Sequence, residues 1–411
     1  MALEAKKKWD LAAIASIPVI MTLANSMLIP ILPLMEKKLN INSTQGSLII
    51  TVYAAVAIIF IPIAGYLSDR FGRKNVIIPS LIVAAAGGVV SGLGAWWFQG
   101  FTAYWIILAG RFIQGIGAAG AFPIVLPLIG DMFQNEEDVS SSLGIVETSN
   151  TMGKVLSPIV GSALALVLWY LPFLVIPPFC LVAIAAVARL VKVPKSASDR
   201  DSKVALGDFI SGVKKLLKDE GRWLYAIFAI GGIAMFVLFG FLFYLSSILE
   251  DRYHIKGIWK GLLLSIPLVA VCLFSFIGGK FVGKNKPRMK WTTVAGIVIQ
   301  SAALLAIAIW NPEQKLNLLI LLSASGIGIG ISLPCLDALI TEGIEKEQRG
   351  TITSLYSSMR FIGVASGPLI AALIMSHIPA LFYTFAAVSI AAGLTALLAI
   401  KPADSDNKSA K

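Results

Sequence analysis

Residues 44–67 and 76–97 form two apolar runs with almost nothing between them. A membrane span needs about 20 apolar residues, so each run is long enough to cross a bilayer. Their connection, Gly65-Tyr66-Leu67-Ser68-Asp69-Arg70-Phe71-Gly72-Arg73-Lys74, carries one carboxylate and three cations. A charge at the bilayer centre costs roughly 2.5–3.5 kcal/mol or more, so this tight hairpin must sit at a membrane face. Its excess of cations assigns that face to the cytoplasm. One connection thus fixes the solvent, the local topology and the direction of the chain.

The rest of the chain agrees that lipid is the solvent. Only 14% of its 411 residues are charged and 57% are hydrophobic, whereas a soluble domain is about a quarter charged. The net charge of +11 does not indicate nucleic acid. The cations lie in short connectors between apolar runs and lack the interleaved aromatics of a single-strand binder. Cys180, Cys272 and Cys335 are isolated within apolar runs, so no metal site or disulfide framework is expected. His254 and His377 are far apart in sequence, near predicted span ends, and are assigned no role. Lys6-Lys7-Lys8 precede a full-length apolar run, which reads as a retained first span rather than a cleaved signal.

Twelve runs meet the length criterion: 11–34, 44–67, 76–97, 101–127, 140–168, 172–191, 223–247, 259–282, 291–310, 317–340, 352–376 and 380–400. An even number places both termini on one side. That side holds Lys6, Lys7, Lys8, Arg70, Arg73, Lys74, Lys192, Lys195, Lys284, Lys286, Arg288 and Lys290. The opposite loops are poor in Lys and Arg apart from Lys37, Lys38, Arg252, Lys256, Lys260 and Lys315, so both termini are expected in the cytoplasm. The acidic stretch after span four (Asp131, Glu136, Glu137, Asp138) does not oppose this, since acids count little in that rule.

Hydrophobicity collapses over 192–222, where a cytoplasmic linker is expected, with a possible amphipathic helix at 207–217. It separates a first six-helix bundle (1–191) from a second (223–400), with a cytoplasmic tail at 401–411. The halves look related. Gly115-Ile116-Gly117 followed by Pro123 recurs as Gly326-Ile327-Gly328 followed by Pro334. Ser157-Pro158 has a counterpart in Gly367-Pro368, and 279–290 is a degenerate echo of the first basic hairpin. The expected fold is all-α: an integral membrane protein of 12 transmembrane helices in two pseudo-symmetric six-helix bundles. Two repeated halves facing each other across a midplane site is a transporter plan, and a repeat of this length excludes a solenoid.

Several polar residues lie where lipid-length helices should be apolar. Arg111 is deep in span four and must face a polar cavity or a partner; Gln114 follows on the same face. Gly115, Gly117 and Gly120 spell G-x-G-x-x-G, but a dinucleotide fingerprint needs a preceding strand and a βαβ unit. Mid-span glycines are read instead as helix contacts. In span five Glu147 and Lys154 lie two turns apart, with Asn150 and Thr151 between them on one face, a polar stripe expected to line a cavity. Glu147 is the expected proton carrier, its affinity set by Arg111 and Lys154. Arg360 in span eleven faces the same burial cost as Arg111. Asp337 and Glu342 are further polar candidates, and Phe241, Phe243 and Tyr244 on span seven are candidate cargo contacts or simple packing.

The hairpin resembles the signature loop of the major facilitator superfamily, G-x-L-[AS]-D-R-x-G-R-K, at Gly65, Leu67, Asp69, Arg70, Gly72, Arg73 and Lys74. The resemblance implies a conformational latch, with Asp69 at the start of helix eleven near Thr351–Ser354 and Arg73 on Asp131. Span four, from Arg111 through Gln114 to Ala119, resembles the R-x-x-Q-G-x-G-A-A motif of proton-coupled members. Span five partly resembles the antiporter motif G-x-x-x-G-P-x-x-G-G. There Gly153, Pro158 and Gly161 match, Ser157 and Ser162 replace glycines, and Lys154 is an intruder. Small residues at these positions imply close helix packing.

The whole chain is therefore similar to the twelve-helix drug:proton antiporters. That similarity implies a plasma-membrane, monomeric exporter of a small amphipathic compound, a drug or a metabolite such as a siderophore, driven by protons through alternating access. Its partners would be that compound, protons and the bilayer, without nucleic acid, metal or cofactor. Span one has Asn25 and Ser26 but no carboxylate, which suits neutral or anionic cargo. Import by proton symport is the alternative, since the loop motif serves both directions. A lipid enzyme is disfavoured because no H-E-x-x-H, Walker A or G-x-S-x-G occurs.

Overall fold

The computed structural model describes residues 5–133, 136–191, 221–282, 285–344 and 346–400. They form helices and connectors, with no strand among the described residues. The first span is broken into α1 (Ala5–Ser26), a 3₁₀ turn (Ile29–Ile31) and α2 (Leu32–Leu39). Pro30 and Pro33 cause the break, because each removes a backbone donor. Eleven further helices follow among the described residues: α3 (Ser43–Phe71), α4 (Arg73–Trp97), α5 (Gly100–Met132), α6 (Glu136–Val167), α7 (Leu171–Leu190), α8 (Gly221–Asp251), α9 (Gly257–Val282), α10 (Lys286–Trp310), α11 (Lys315–Gly343), α12 (Lys346–Ile374) and α13 (Ile378–Ala399). Among the described residues, twelve helical segments are long and apolar enough to cross a membrane.

Local chemistry sets the ends. Asn42 and Gln45 form a reciprocal capping box that starts α3: the Gln45 N–H donates to Asn42 Oδ1 at 2.8 Å and the Asn42 N–H to Gln45 Oε1 at 3.0 Å. Gly72, at φ +90°, turns the chain from α3 into α4 with no intervening loop. A side chain would be strained there. Asn285 caps α10, accepting from the Arg288 N–H at 2.9 Å. Exposed Trp96, Trp97 and Trp310 end their helices on one face, and exposed Trp9 and Trp291 begin theirs on the other. Such girdles mark the two interfaces.

Helices run past the apolar runs, because their polar ends project beyond hydrocarbon. Residues 136–138, expected in a loop, begin α6, and Asp131 belongs to the end of α5. Likewise α12 begins at Lys346, so 351–354 lies inside the helix rather than at its start. Lys260, expected among loop cations, is buried within α9. The expected linker lies outside the described residues except at 221 and 222, which open α8; the 207–217 segment and the 401–411 tail also lie outside them.

Two six-helix bundles repeat one packing scheme. In the first, α4 packs on α5 and α7, α3 on α5, and α1 on α6 and α7. In the second, α10 packs on α11 and α13, α9 on α11, and α8 on α12 and α13. The repeated glycines occupy equivalent contacts. Gly115 meets the Tyr53 carbonyl of α3 and Gly117 the backbone of α4; Gly326 meets the Pro267 carbonyl of α9 and Gly328 the backbone of α10. The echo of the basic hairpin is equally structural. Lys74 Nζ donates to the Ala188 and Val191 carbonyls at 2.8 and 2.9 Å, closing α7, and Lys290 Nζ donates to the Leu397 carbonyl at 2.9 Å, closing α13. The bundles meet along two principal seams, α3 with α12 and α6 with α9.

Candidate functional site

Small residues bring α6 close to both of its neighbours. Gly161 of α6 abuts the Met27 backbone, Gly153 the Val19 backbone, and Gly261 of α9 abuts the Pro158 carbonyl and Ser162. Ser157 Oγ donates to the Gly153 carbonyl at 2.6 Å and so disappears into its own helix. The Gly153–Ser162 run therefore brings α6 against α1 on one side and α9 on the other. That packing aims the polar face of α6 at the space between the bundles.

Four ionisable side chains meet in that space. Arg360 of α12 places Nη2 at 3.8 Å from Glu147 Oε1 and Nη1 at 3.7 Å from Asp337 Oδ1 of α11. Its guanidinium also lies 5.6 Å from the Tyr356 ring centroid. Glu147 is steadied from its own bundle, since Asn150 Nδ2 donates to its Oε1 at 3.2 Å. Asn150 Oδ1 in turn accepts from Thr22 Oγ1 of α1 at 2.6 Å. Lys154, two turns along α6, is influenced by Arg360, Glu147, Asp337 and Cys272. Glu147 lies about 4.5 Å and Lys154 about 15 Å inside the apolar span that begins at Gly144, at 1.5 Å per residue, so the cluster runs from the first turn of the span toward its middle. Glu147 and Asp337 are nevertheless 34% and 33% exposed, against 15% for Arg360. Glu147 pairs across the bundles, so its exposure is to the space between them.

One face of that space is shut. Glu250 at the end of α8 receives Lys37 Nζ of α2 on Oε1 and Lys260 Nζ of α9 on Oε2, both at 2.9 Å. The Lys260–Glu250 pair is 2% and 5% exposed. Ser246 Oγ donates to the Ile29 carbonyl at 2.8 Å one turn deeper. The basic hairpin lies at the other face.

Arg111 is not part of the cluster. It is fully buried, and its fork is spent inside the first bundle. Nε donates to the Ile49 carbonyl at 2.8 Å, Nη1 to the Ala24 carbonyl at 3.0 Å and to Gln114 Oε1, and Nη2 to Asn25 Oδ1 at 2.6 Å. The guanidinium also lies 4.3 Å from the Tyr53 ring centroid. Neither Glu147 nor Lys154 is among its partners; the cation at Glu147 is Arg360.

On the hairpin face Arg73 gathers three groups: Asp69 Oδ1 at 2.5 Å, Ser68 Oγ at 2.6 Å and Asp131 Oδ2 at 3.2 Å. The Arg73–Asp131 contact is the one the loop motif implies. Gly65 leaves room for Ser354, whose Oγ would lie 3.5 Å from a Cβ there, so this end of α3 rests on α12. Arg70 stays over the Phe71 ring at 5.4 Å. Phe241, Phe243 and Tyr244 are buried core, with Tyr244 edge-on to Phe382 at 5.1 Å. The side chain of Glu342 lies outside the described residues. The Glu250 group escaped sequence reasoning because charges near a run's end look like loop charges; Lys260 inside an apolar run was the available signal.

Comparison with known proteins follows the geometry. The family model described as Major Facilitator Superfamily matches residues 14–312 and 261–411. The chain is 52% identical over 369 residues to a protein named bacillibactin exporter from Bacillus subtilis (strain 168), covering 90% of each chain. It is 24% identical to the class E tetracycline resistance protein of Escherichia coli, covering 85% of this chain and 84% of that protein. It also superposes on a bacterial homologue of the human lysosomal transporter Spinster with TM-score 0.73 at 16% identity, over 97% of both chains.

Proposed function

Because the chain belongs to the Major Facilitator Superfamily, we propose that it is a transporter that exports a small amphipathic compound in exchange for protons. The cargo is a drug or an endogenous metabolite such as a siderophore. Support for the outward direction is the 52% identity to a protein named as an exporter, over 90% of both chains. The hairpin face is cytoplasmic by its cations, and the twelve spans put both termini there, in the plasma membrane, with one chain as the working unit. The bundles 1–191 and 223–400 rock about their shared midplane, joined by 192–222 and followed by the tail 401–411.

The observation that carries the mechanism is Arg360, held between Glu147 of one bundle and Asp337 of the other. While Glu147 is ionised, that pair ties the bundles together. A proton from outside neutralises Glu147 and frees the return leg; cargo must break the same pair on the outward leg. An empty, ionised cavity stays tied, and this makes the exchange obligatory. Each inward proton brings about 2.3 kcal/mol per 100 mV of membrane potential. The Glu250–Lys37–Lys260 group closes the outer face. Asp69, Arg73 and Asp131 form the cytoplasmic latch, with Gly65, Gly72, Arg70 and Lys74 shaping its loop. Arg111 and Gln114 hold the first bundle in the shape the cavity needs.

Inside-out vesicles provide the test. With an acid interior they should accumulate bacillibactin, and collapsing the pH gradient should abolish accumulation. Uptake by intact cells that an uncoupler stops would overturn export, and gradient-independent uptake would overturn coupling.

A further inference from the structure

Among the ions of the central cluster, Lys154 is the one without a counter-ion. Arg360 is shared between Glu147 and Asp337, and Glu147 also takes Asn150. Among the described residues, no carboxylate lies within the 4.0 Å ion-pair limit of Lys154, and no side chain or carbonyl accepts a hydrogen bond from it. Yet Lys154 is only 7% exposed, near the middle of a membrane-length helix. An ammonium cannot snorkel to an interface from there. Its Nζ is not among the sealed polar atoms that lack a partner, so the stem is buried while the charged head meets the open space between the bundles.

Its direction is equally clear. Met152 and Leu156, about 160° around α6 from Lys154 at 3.6 residues per turn, are exposed. Lys154 shares its face with Glu147 and Asn150 and is influenced by Asp337 of α11, Arg360 of α12 and Cys272 of α9. It therefore looks into the space between the bundles, the place where cargo must pass. The four charges sum to zero when all are ionised, so the vacancy is local: one cation lacks a near neighbour while two carboxylates share the other.

We propose that Lys154 is the cargo anchor, and that the cargo presents to it an anionic oxygen, a carboxylate or an ionised phenol. Such a group completes the ammonium with a charge-assisted hydrogen bond in a water-poor site. It also lies close enough to Arg360 to compete with Glu147 for that guanidinium. Cargo then loosens the cross-bundle pair by supplying a rival anion, as a proton loosens it by removing one. This deepens the export reading and rests on it only for the direction of travel.

The test uses the purified full chain in nanodiscs and a matched pair of probes, 1-naphthoate and 1-naphthamide, equal in shape and differing in charge. Wild type should bind the naphthoate at least tenfold more tightly, read as a larger ligand-induced rise in melting temperature and by equilibrium dialysis. Lys154→Met should reduce that preference to within twofold, and Lys154→Arg should retain most of it. Equal binding of the two probes by wild type, no binding of either, or an undiminished preference in Lys154→Met would overturn the proposal. Should Lys154→Met fail to fold, Lys154→Gln takes its place, since it keeps a polar side chain without the charge and should likewise bring the preference to within twofold; an undiminished preference there would overturn the proposal, because Arg360 alone would then account for it. The result is separable from the export reading. Vesicles that export but show no charge preference sink only the anchor. A charge preference in nanodiscs with no outward transport sinks only the direction.

Discussion

Glu147→Gln isolates the cross-bundle pair, because it keeps the side chain's shape and the Asn150 contact while removing the charge opposite Arg360. The pair distance is 3.8 Å. At an effective dielectric near 20, two unit charges at that distance attract by about 4 kcal/mol. Glu147 is 34% exposed, so solvent screening reduces the realised tie to about 1–2 kcal/mol. A value near 1.4 kcal/mol is tenfold in an equilibrium constant. The empty variant should therefore cross between conformations roughly tenfold more readily than the empty wild type. The assay is flux of the proposed cargo in proteoliposomes. Wild type should accumulate cargo against its gradient when a pH gradient is imposed and should leak little without one. The variant should keep cargo-for-cargo counterflow within a few fold, lose pH-driven accumulation, and show downhill leak about tenfold above wild type. Retained pH-driven accumulation would refute the assignment of the proton to Glu147. Loss of counterflow in a folded variant would refute the tie itself and indicate a packing role.

Three further outcomes follow from other contacts. Arg111→Lys removes a planar fork that reaches Ile49, Ala24, Gln114 and Asn25. It should lower stability by about 2–4 kcal/mol, seen as a fall in detergent melting temperature, with proton coupling intact in whatever folds. Gly161→Ala drives a methyl into the Met27 carbonyl and should cost about 1–3 kcal/mol, whereas Gly144→Ala, with nothing within 4 Å, should be neutral or slightly stabilising by the same melting assay. Lys260→Met leaves Glu250 with the half-exposed Lys37 alone. In a background lacking Cys180, Cys272 and Cys335, a cysteine at Ser246 should then react faster with an impermeant maleimide from outside; an unchanged rate would remove that group from the outer closure.

The twelve spans and their duplication were legible in the sequence because hydropathy and glycine spacing are local signals. The Arg73–Asp131 contact was legible through a motif. Arg111 stood out as needing a partner, but the sequence did not say which: Asn25, Ile49 and Ala24 reach it only after three helices pack. The same limit applied to Arg360. Its burial cost was plain, while its place between Glu147 and Asp337 depends on how two bundles meet, and no spacing along the chain encodes that. Lys260 was misjudged because a charge three residues into a helix reads as a connector until Glu250 is found beside it.

The Arg111 fork has a mechanical consequence. Its donors clasp α1 through Ala24 and Asn25, α3 through Ile49, and α5 through Gln114. Sliding any of these helices past another would strand a bare guanidinium in oil. The three therefore travel as a riveted plate, and shape change is channelled to the seams where glycine, serine and exchangeable ions meet. Under the proposed mechanism, cargo that loosens one ion pair at such a seam would move the plate whole, so its effect would be felt at the far end of the molecule.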